Sequence, residues 1–307
     1  MNHMKKTLVI IGILAVMFSQ DASAFGRRNH AAVAFIAEQH LTPAARKAVA
    51  AIYDGASLAE NACWPDDNRT NIKAMFPLED GDCIYIDGKP VFKGPSGKPF
   101  SYGTDFRIES GKVYTTVAHG YLVDSEGKYV EVPKADCVWS AGQNIEKLRD
   151  WKNLGEEERR IALHFVVHLI GDMHCPSHIH YTDARDCNDL KYPVIYRNRE
   201  LRYHSFWDTD LLVDRYPGGM ESLAYYCDPL VSGTLAKGEA LRRMKEIQAG
   251  TLADWAADVA CRTSRIYDVH DGDRLTVEQL DEFSAMEKDL VMRAGYRLAK
   301  VLNEIFR

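Results

Sequence analysis

Apolar residues recur at helical spacing along most of the chain. Val33, Ile36, Ala37 and Leu41 fall on one helix face within residues 31 to 53, because positions three and four apart share a side. Thr42-Pro43 then opens a second helix with proline at its first position, where a missing N–H costs no hydrogen bond. Residues 77 to 135 change character, and the glycines, prolines and patterns "IDGKPV" and "ESGKVY" predict hairpins and loops. Helical spacing resumes from Ala141 to Asp172, followed by a loop, a hairpin around "VIYRNRELRY", and helices over residues 238 to 265 and 277 to 305. The pattern predicts a mainly α fold: one compact helical domain with a small β-hairpin insertion.

The start of the chain does not belong to that core. Lys5 and Lys6 precede the apolar run Leu8 to Phe18, and Ala22-Ser23-Ala24 follows it. Basic residues, a short apolar stretch and a small-residue site form the pattern of a secretory signal peptide, here residues 1–24 with a cut after Ala24. The run is short for a membrane span, so the expected product is a periplasmic or secreted domain of residues 25–307 with no membrane anchor after processing. Removing Lys5, Lys6 and Asp21 from totals of 38 basic and 44 acidic residues leaves 36 against 43, a net charge of −7. A chain this acidic has no sequence-wide basic footprint for nucleic acid, so phosphate handling requires local cations. Its seven cysteines, at 63, 83, 137, 175, 187, 227 and 261, enter an oxidising compartment where some are expected to pair. The odd number leaves at least one without a partner in the chain.

Candidate chemistry is concentrated in "HLIGDMHCPSHIH", residues 168 to 180. His168 and Asp172 stand four apart within "IALHFVVHLIGD" and project from one helix face, with His164 one turn earlier on the same stripe. A second pair of equal spacing, His204 and Asp208, lies in "HSFWD". Imidazole and carboxylate converging from one helical turn suit zinc. His178, placed after the helix-stopping Pro176, adds to the two pairs. His30, Asp66 in "CWPDDNR" and His119 in "TTVAHGY" are ligand types without diagnostic spacing, open between a site role and an ordinary surface or core one.

Together these blocks resemble a known family, the zinc-dependent single-strand-specific nucleases of the S-one/P-one type, which share a helical fold with the zinc phospholipases C. That family reads W-G-x-x-G-H, W-x-D, an isolated histidine, H-x-x-x-D-x-x-x-P-x-H and H-x-x-W-D. This chain offers "FGRRNH" at 25 to 30, "WPD" at 64 to 66, His119, "HLIGDMHCPSH" at 168 to 178 and "HSFWD" at 204 to 208, in that order. The resemblance implies three zinc ions. One would be held by Asp66, His119, His168 and Asp172, and a second by His178, His204 and Asp208. The third would take His30, the shared Asp172, and the amine and carbonyl of Phe25 once the signal peptide is cut. A free α-amine can ligate a metal once deprotonated, whereas a peptide nitrogen does not do so readily. The implied chemistry is attack on phosphorus by a hydroxide that bridges two zincs. Asp66 would orient that hydroxide, and Arg69 would stabilise the transition state through paired hydrogen bonds.

The chain departs from the family pattern in several places. Phe25 stands for tryptophan and Asn29 for glycine; Gly120 takes the place of a base-stacking aromatic, leaving Tyr121 as the stacking candidate; and only Asn188 survives of a G-G-N segment, as a substrate-binding candidate. The leading expectation is a zinc-dependent endonuclease that cuts single-stranded DNA or RNA to 5′-phosphorylated products, with 3′-nucleotides as further substrates and no stable protein partner. The alternatives are a zinc phospholipase C and a non-catalytic zinc-binding protein. Retention of Asp66 and Arg69 speaks against mere storage, which needs no transition-state arginine. His174 and His180 are left over, the first as a group behind the ligands and the second as a rim residue.

Overall fold

The computed structural model describes residues 25–68, 137–179 and 190–307 in full, and short strands alone between 84 and 134 and at 180–181. The expected signal peptide, residues 1–24, lies outside the described residues. The first helix, α1 (Arg27–Gln39), buries Ala32, Val33, Ala34, Ile36 and Ala37. In α2 (Pro43–Ile52), Thr42 caps the N-terminus by accepting the Ala45 amide at 3.2 Å, with Pro43 in the first turn as expected. Two short helices, α3 (Leu58–Asn61) and α4 (Trp64–Asp67), bring the chain to Asp66.

The helix expected over 141 to 172 is two: α5 (Cys137–Arg149) and α6 (Glu156–Asp172). The break falls where Asn153 turns its amide onto the Asp150 carboxylate at 2.6 Å, just ahead of Gly155. Three glutamates then occupy the first turn of α6, where the helix dipole favours negative charge. Beyond the hairpin lie three helices that the sequence pattern did not resolve: α7 (Leu211–Arg215), α8 (Met220–Cys227) and α9 (Pro229–Ser232). The helix expected over 238 to 265 is also divided, into α10 (Lys237–Gln248) and α11 (Leu252–Thr263). Gly250 separates them at φ 93°, a left-handed conformation that glycine adopts at little cost, and Thr251 restarts the helix through a reciprocal cap with Asp254.

The last helix, α12 (Val277–Ile305), follows the expected span and forms the spine of the core. Its crossing with α1 is close, since a Cβ on Gly295 would fall 2.5 Å from Ile36 Cγ2. The core is therefore built from the faces of α1, α6 and α12, and α1 carries His30 while α6 carries His168 and Asp172.

The strand content is small and local. The antiparallel pair β1 (Ile84–Ile86) and β2 (Lys89–Lys93) extends to β3 (Pro99–Phe100). Strands β4 (Phe106–Glu109) and β5 (Lys112–Tyr114) pair antiparallel, as do β6 (Ala118–Val123) and β7 (Tyr129–Lys134). The insertion thus holds several hairpins. It is tied back to the helical body because β4 also pairs in parallel with β8 (Ile179–Tyr181), immediately after His178. The expected hairpin in "VIYRNRELRY" is β9 (Pro193–Tyr196) with β10 (Arg199–Arg202). Its two turn residues, Arg197 and Asn198, both take positive φ, which matches the twist of the strands they join. Cys63, Cys175 and Cys227 are buried free thiols and Cys261 is an exposed one, while Cys83 and Cys187 lie outside the described residues. Among the described residues, no helix is long and apolar enough to cross a membrane.

Candidate metal centre

Helix α6 carries His164, His168 and Asp172 on one buried stripe, but the stripe divides. His164 is sandwiched between Trp64, stacked at 4.4 Å, and Tyr53, stacked at 4.9 Å. Burial, aided by the Arg160 charge, pushes its pKa down to about 3, so it is a neutral packing group at neutral pH. By supporting Trp64 it supports the segment that presents Asp66.

One turn later the surroundings become polar. His168 Nδ1 donates to the Ala62 carbonyl at 2.9 Å, which leaves Nε2 facing Asp172 Oδ2 at 3.3 Å and Asp66 Oδ1 at 3.6 Å. Burial opposes its protonation, yet the charges of Asp172 and Asp66 prevail and raise its pKa to about 9. A pocket that attracts a proton this strongly attracts a cation as well. The His30 ring stacks on His168 at 4.1 Å, and its Nε2 stands 3.3 Å from the other Asp172 oxygen, Oδ1. Asp172 therefore faces two imidazoles with two different oxygens. His30 reaches this place because Gly171 has no side chain: a Cβ there would fall 2.6 Å from His30 Nδ1.

After α6, Pro176 begins a 3₁₀ turn that carries His178 round to a second group. His178 Nδ1 donates to the Asp172 carbonyl at 3.2 Å, and its Nε2 lies 3.7 Å from Asp208 Oδ1. His204 Nε2 stands 3.3 Å from Asp208 Oδ2. The chain here runs from a helical turn at Tyr203–Ser205 into a π-helix, Phe206–Asp210. Burial works against the Asp208 charge, but His204, His178 and the Phe25 amide hold its pKa below the usual carboxylate range.

The donor set fits zinc. Two atoms bound to one tetrahedral zinc at about 2.0–2.1 Å stand roughly 3.3–3.4 Å apart, close to the 3.3–3.7 Å spacings between these imidazoles and carboxylates. Moreover, His168 Nε2, His178 Nε2, both Asp172 oxygens and Asp208 Oδ2 are buried without hydrogen bonds, a cost that a cation would remove. Two three-residue groups could each hold an ion: His30, His168 and Asp172, and Cys175, His178 and Asp208.

Phe25 is fully buried, with its ring edge-on to His30 at 5.6 Å and its amide donating to Asp208 Oδ1 at 3.1 Å. The first residue of the expected mature chain thus touches both groups. His119 and Tyr121 lie in β6, opposite Pro133 and Glu131 of β7, and their side chains are outside the described residues, as are Arg69 and Asn188 altogether. His180 lies in β8. His174 turns away from the metal groups: its Nδ1 donates to the Ile170 carbonyl at 2.7 Å and its Nε2 accepts from Arg297 at 2.8 Å.

Sequence reasoning assigned no site role to Cys175, Ser177, Asn29 or Glu287. Asn29 Nδ2 donates to the Asp208 carbonyl at 3.2 Å and to Glu287 Oε1 at 3.4 Å, joining α1, the π-helix and α12. Cys175 is a ligand type beside His178 and was visible on that ground, whereas Glu287 carries no local signal at all.

The model of a family described as S1/P1 Nuclease matches residues 25–307. Endonuclease 2 of Arabidopsis thaliana is 23% identical over 317 aligned positions, covering 97% of this chain and 96% of its own length. Nuclease S1 of Aspergillus oryzae is 29% identical over 189 positions, which span 55% of this chain and 64% of that protein. Nuclease P1 of Penicillium citrinum is 22% identical over 298 positions, 92% of this chain and 97% of its own.

Proposed function

The chain belongs to the S1/P1 nuclease family, and we propose that it is a three-zinc phosphodiesterase that cuts single-stranded DNA or RNA to 5′-phosphorylated products and also accepts 3′-nucleotides. The observation that carries this reading is the convergence of the buried His30, His168, Asp172, His178 and Asp208 with the half-buried His204, with ligand atoms 3.3–3.7 Å apart and five of them lacking hydrogen bonds. Asp172 is assigned as the shared carboxylate, with Asp66, His119 and His168 on one ion and His30 and Phe25 on another. His178, His204 and Asp208 take the third ion. Bound zinc supplies an activated water for attack on phosphorus and positive charge for the leaving oxygen.

The chain's own residues supply the rest. Asp66, beside His168 at 3.6 Å, orients the attacking hydroxide. The Arg69 guanidinium donates paired hydrogen bonds to the phosphoryl oxygens as charge builds on them. Tyr121 stacks on a base and Asn188 hydrogen-bonds the nucleotide. The dications reconcile a mature chain of net charge −7 (36 basic against 43 acidic residues after residues 1–24 are removed) with a polyanionic substrate, because the local field is the metal's. Export and cleavage after Ala24 belong to the same reading, supported by a family match that starts at residue 25.

The test is to incubate the mature chain, loaded with zinc, separately with single-stranded DNA, RNA and phosphatidylcholine, then to repeat each after chelation. Chelator-sensitive release of 5′-nucleotides is the expected result. Cleavage of the lipid alone would instead make the protein a phospholipase C, and stoichiometric zinc without turnover would make it a binding protein.

A further inference from the structure

The carboxylate of Asp208 is asymmetric. Its Oδ1 meets three donors: the Phe25 amide at 3.1 Å, the Ser177 hydroxyl at 3.2 Å and the Cys175 thiol at 3.5 Å. Its Oδ2 accepts no hydrogen bond and faces His204 Nε2 at 3.3 Å. Cys175 and Ser177 flank Pro176 at the start of the 3₁₀ turn, touch each other at 3.1 Å, and are 0% and 1% exposed, so water does not compete for Oδ1. A carboxylate oxygen with three donors has little capacity left for a metal ion.

We propose that Cys175 and Ser177 are positioning residues that reserve Asp208 Oδ1, so that Asp208 binds the ion it shares with His178 and His204 through Oδ2 alone. The inference rests on the ligand role given to Asp208 above. One-oxygen binding keeps the coordination number low, which favours zinc over dications that take more oxygen ligands, such as Mn²⁺ and Ca²⁺. The thiol is not itself a ligand in this arrangement. Cys175, His178 and Asp208 lie within 4.8 Å of one another, and His178 Nε2 stands 3.7 Å from Oδ1, but Sγ is engaged as a donor to Oδ1, whereas the oxygen without a hydrogen bond faces His204. Processing after Ala24 preserves the arrangement, since an amine bound through its lone pair still carries N–H groups for Oδ1.

Cobalt substitution tests this without recourse to activity. Wild type, Cys175→Ala, Ser177→Ala, the double variant and Cys175→Ser are loaded with Co²⁺, and metal count, melting temperature and absorption spectrum are recorded for each. Ions elsewhere in the centre cancel in difference spectra. Wild type is expected to show the strong visible bands of low-coordinate cobalt and no near-ultraviolet thiolate-to-cobalt band. In the double variant Asp208 binds through both oxygens, so the visible bands weaken and the preference for Zn²⁺ over Mn²⁺ at this site falls about 10-fold. Cys175→Ser restores both, which a loss of packing alone would not predict. A thiolate band in wild type, or unchanged bands and metal preference in both the double variant and Ser177→Ala, overturns the proposal. Absence of any bound cobalt in wild type counts against the metal centre itself.

Discussion

Gly171 lies directly beneath the His30 imidazole, and a Cβ added to it would stand 2.6 Å from His30 Nδ1 and 2.9 Å from Cε1. The glycine thereby admits a ring from α1 to the carboxylate of the very next residue on α6, Asp172, at 3.3 Å. Gly171→Ala should push that ring off Asp172 while α6, which prefers alanine to glycine, stays intact. The expected loss is one zinc per chain and about 100-fold in turnover, the usual scale for a group misplaced by about 1 Å. Metal analysis and kcat check this, and a variant with full zinc and full kcat would show that His30 has no part in the centre.

Asp172 gives a sharper stoichiometric prediction. Oδ1 faces His30 at 3.3 Å and His178 Nδ1 at 3.5 Å, while Oδ2 faces His168 at 3.3 Å. If the carboxylate is shared between two ions, Asp172→Ala should lose more than one zinc per chain, and Asp208→Ala close to one. Elemental analysis of the two purified variants measures the difference directly. Equal losses would remove Asp172 from the bridging position.

The legibility of this centre in the sequence followed its range of contact. His168 with Asp172, and His204 with Asp208, are four apart, so one helical turn suffices to bring each pair together. Cys175 reaches Asp208 across 33 residues and Asn29 reaches Glu287 across 258, separations at which no local spacing rule operates. The same limit explains the helices. Periodicity recovered the span of α12 but ran two helix pairs together, because both members of each pair bury a face on one core and keep its rhythm through the break. Gly155 and Gly250 were the local signs of those breaks. His164 shows the converse: its spacing fits the ligand stripe, and the stacked rings of Trp64 and Tyr53 reveal it as packing.

His164 therefore predicts a pH dependence of stability rather than of catalysis. Its pKa falls to about 3 in the folded chain, through burial first and Arg160 second, against about 6.5 when unfolded. Between those values the unfolded chain binds the extra proton, so stability decreases as pH falls below about 6.5, by up to ~1.4 kcal/mol per pH unit for one such group. Above about 6.5 the group contributes no slope. His164→Phe keeps a ring between Trp64 and Tyr53 but removes the proton site, so its denaturation midpoint should decline less steeply than wild type on the acid side. Parallel curves for the two proteins would dismiss the assignment.

Phe25 sets the last prediction, which joins processing to chemistry. Its side chain is fully buried, its φ is 41°, and Gly26 follows at φ 40° with Asp208 O only 2.2 Å from the place a Cβ would take. The turn is thus locked against the π-helix, and the nitrogen of residue 25 stands at a fixed point beside Asp208. While residue 24 is attached, that nitrogen is an amide with no lone pair for a metal; cleavage after Ala24 turns it into an amine that can serve as a ligand. A mature chain carrying one extra alanine before Phe25 should retain the buried ring and nearly the same melting temperature. It should bind one zinc fewer and lose about 10- to 100-fold in activity. Removing the extra alanine with an aminopeptidase should return both the third zinc and the activity. If the extended chain instead binds three zincs and turns over at the wild-type rate, the amine is not a ligand and signal cleavage serves export alone.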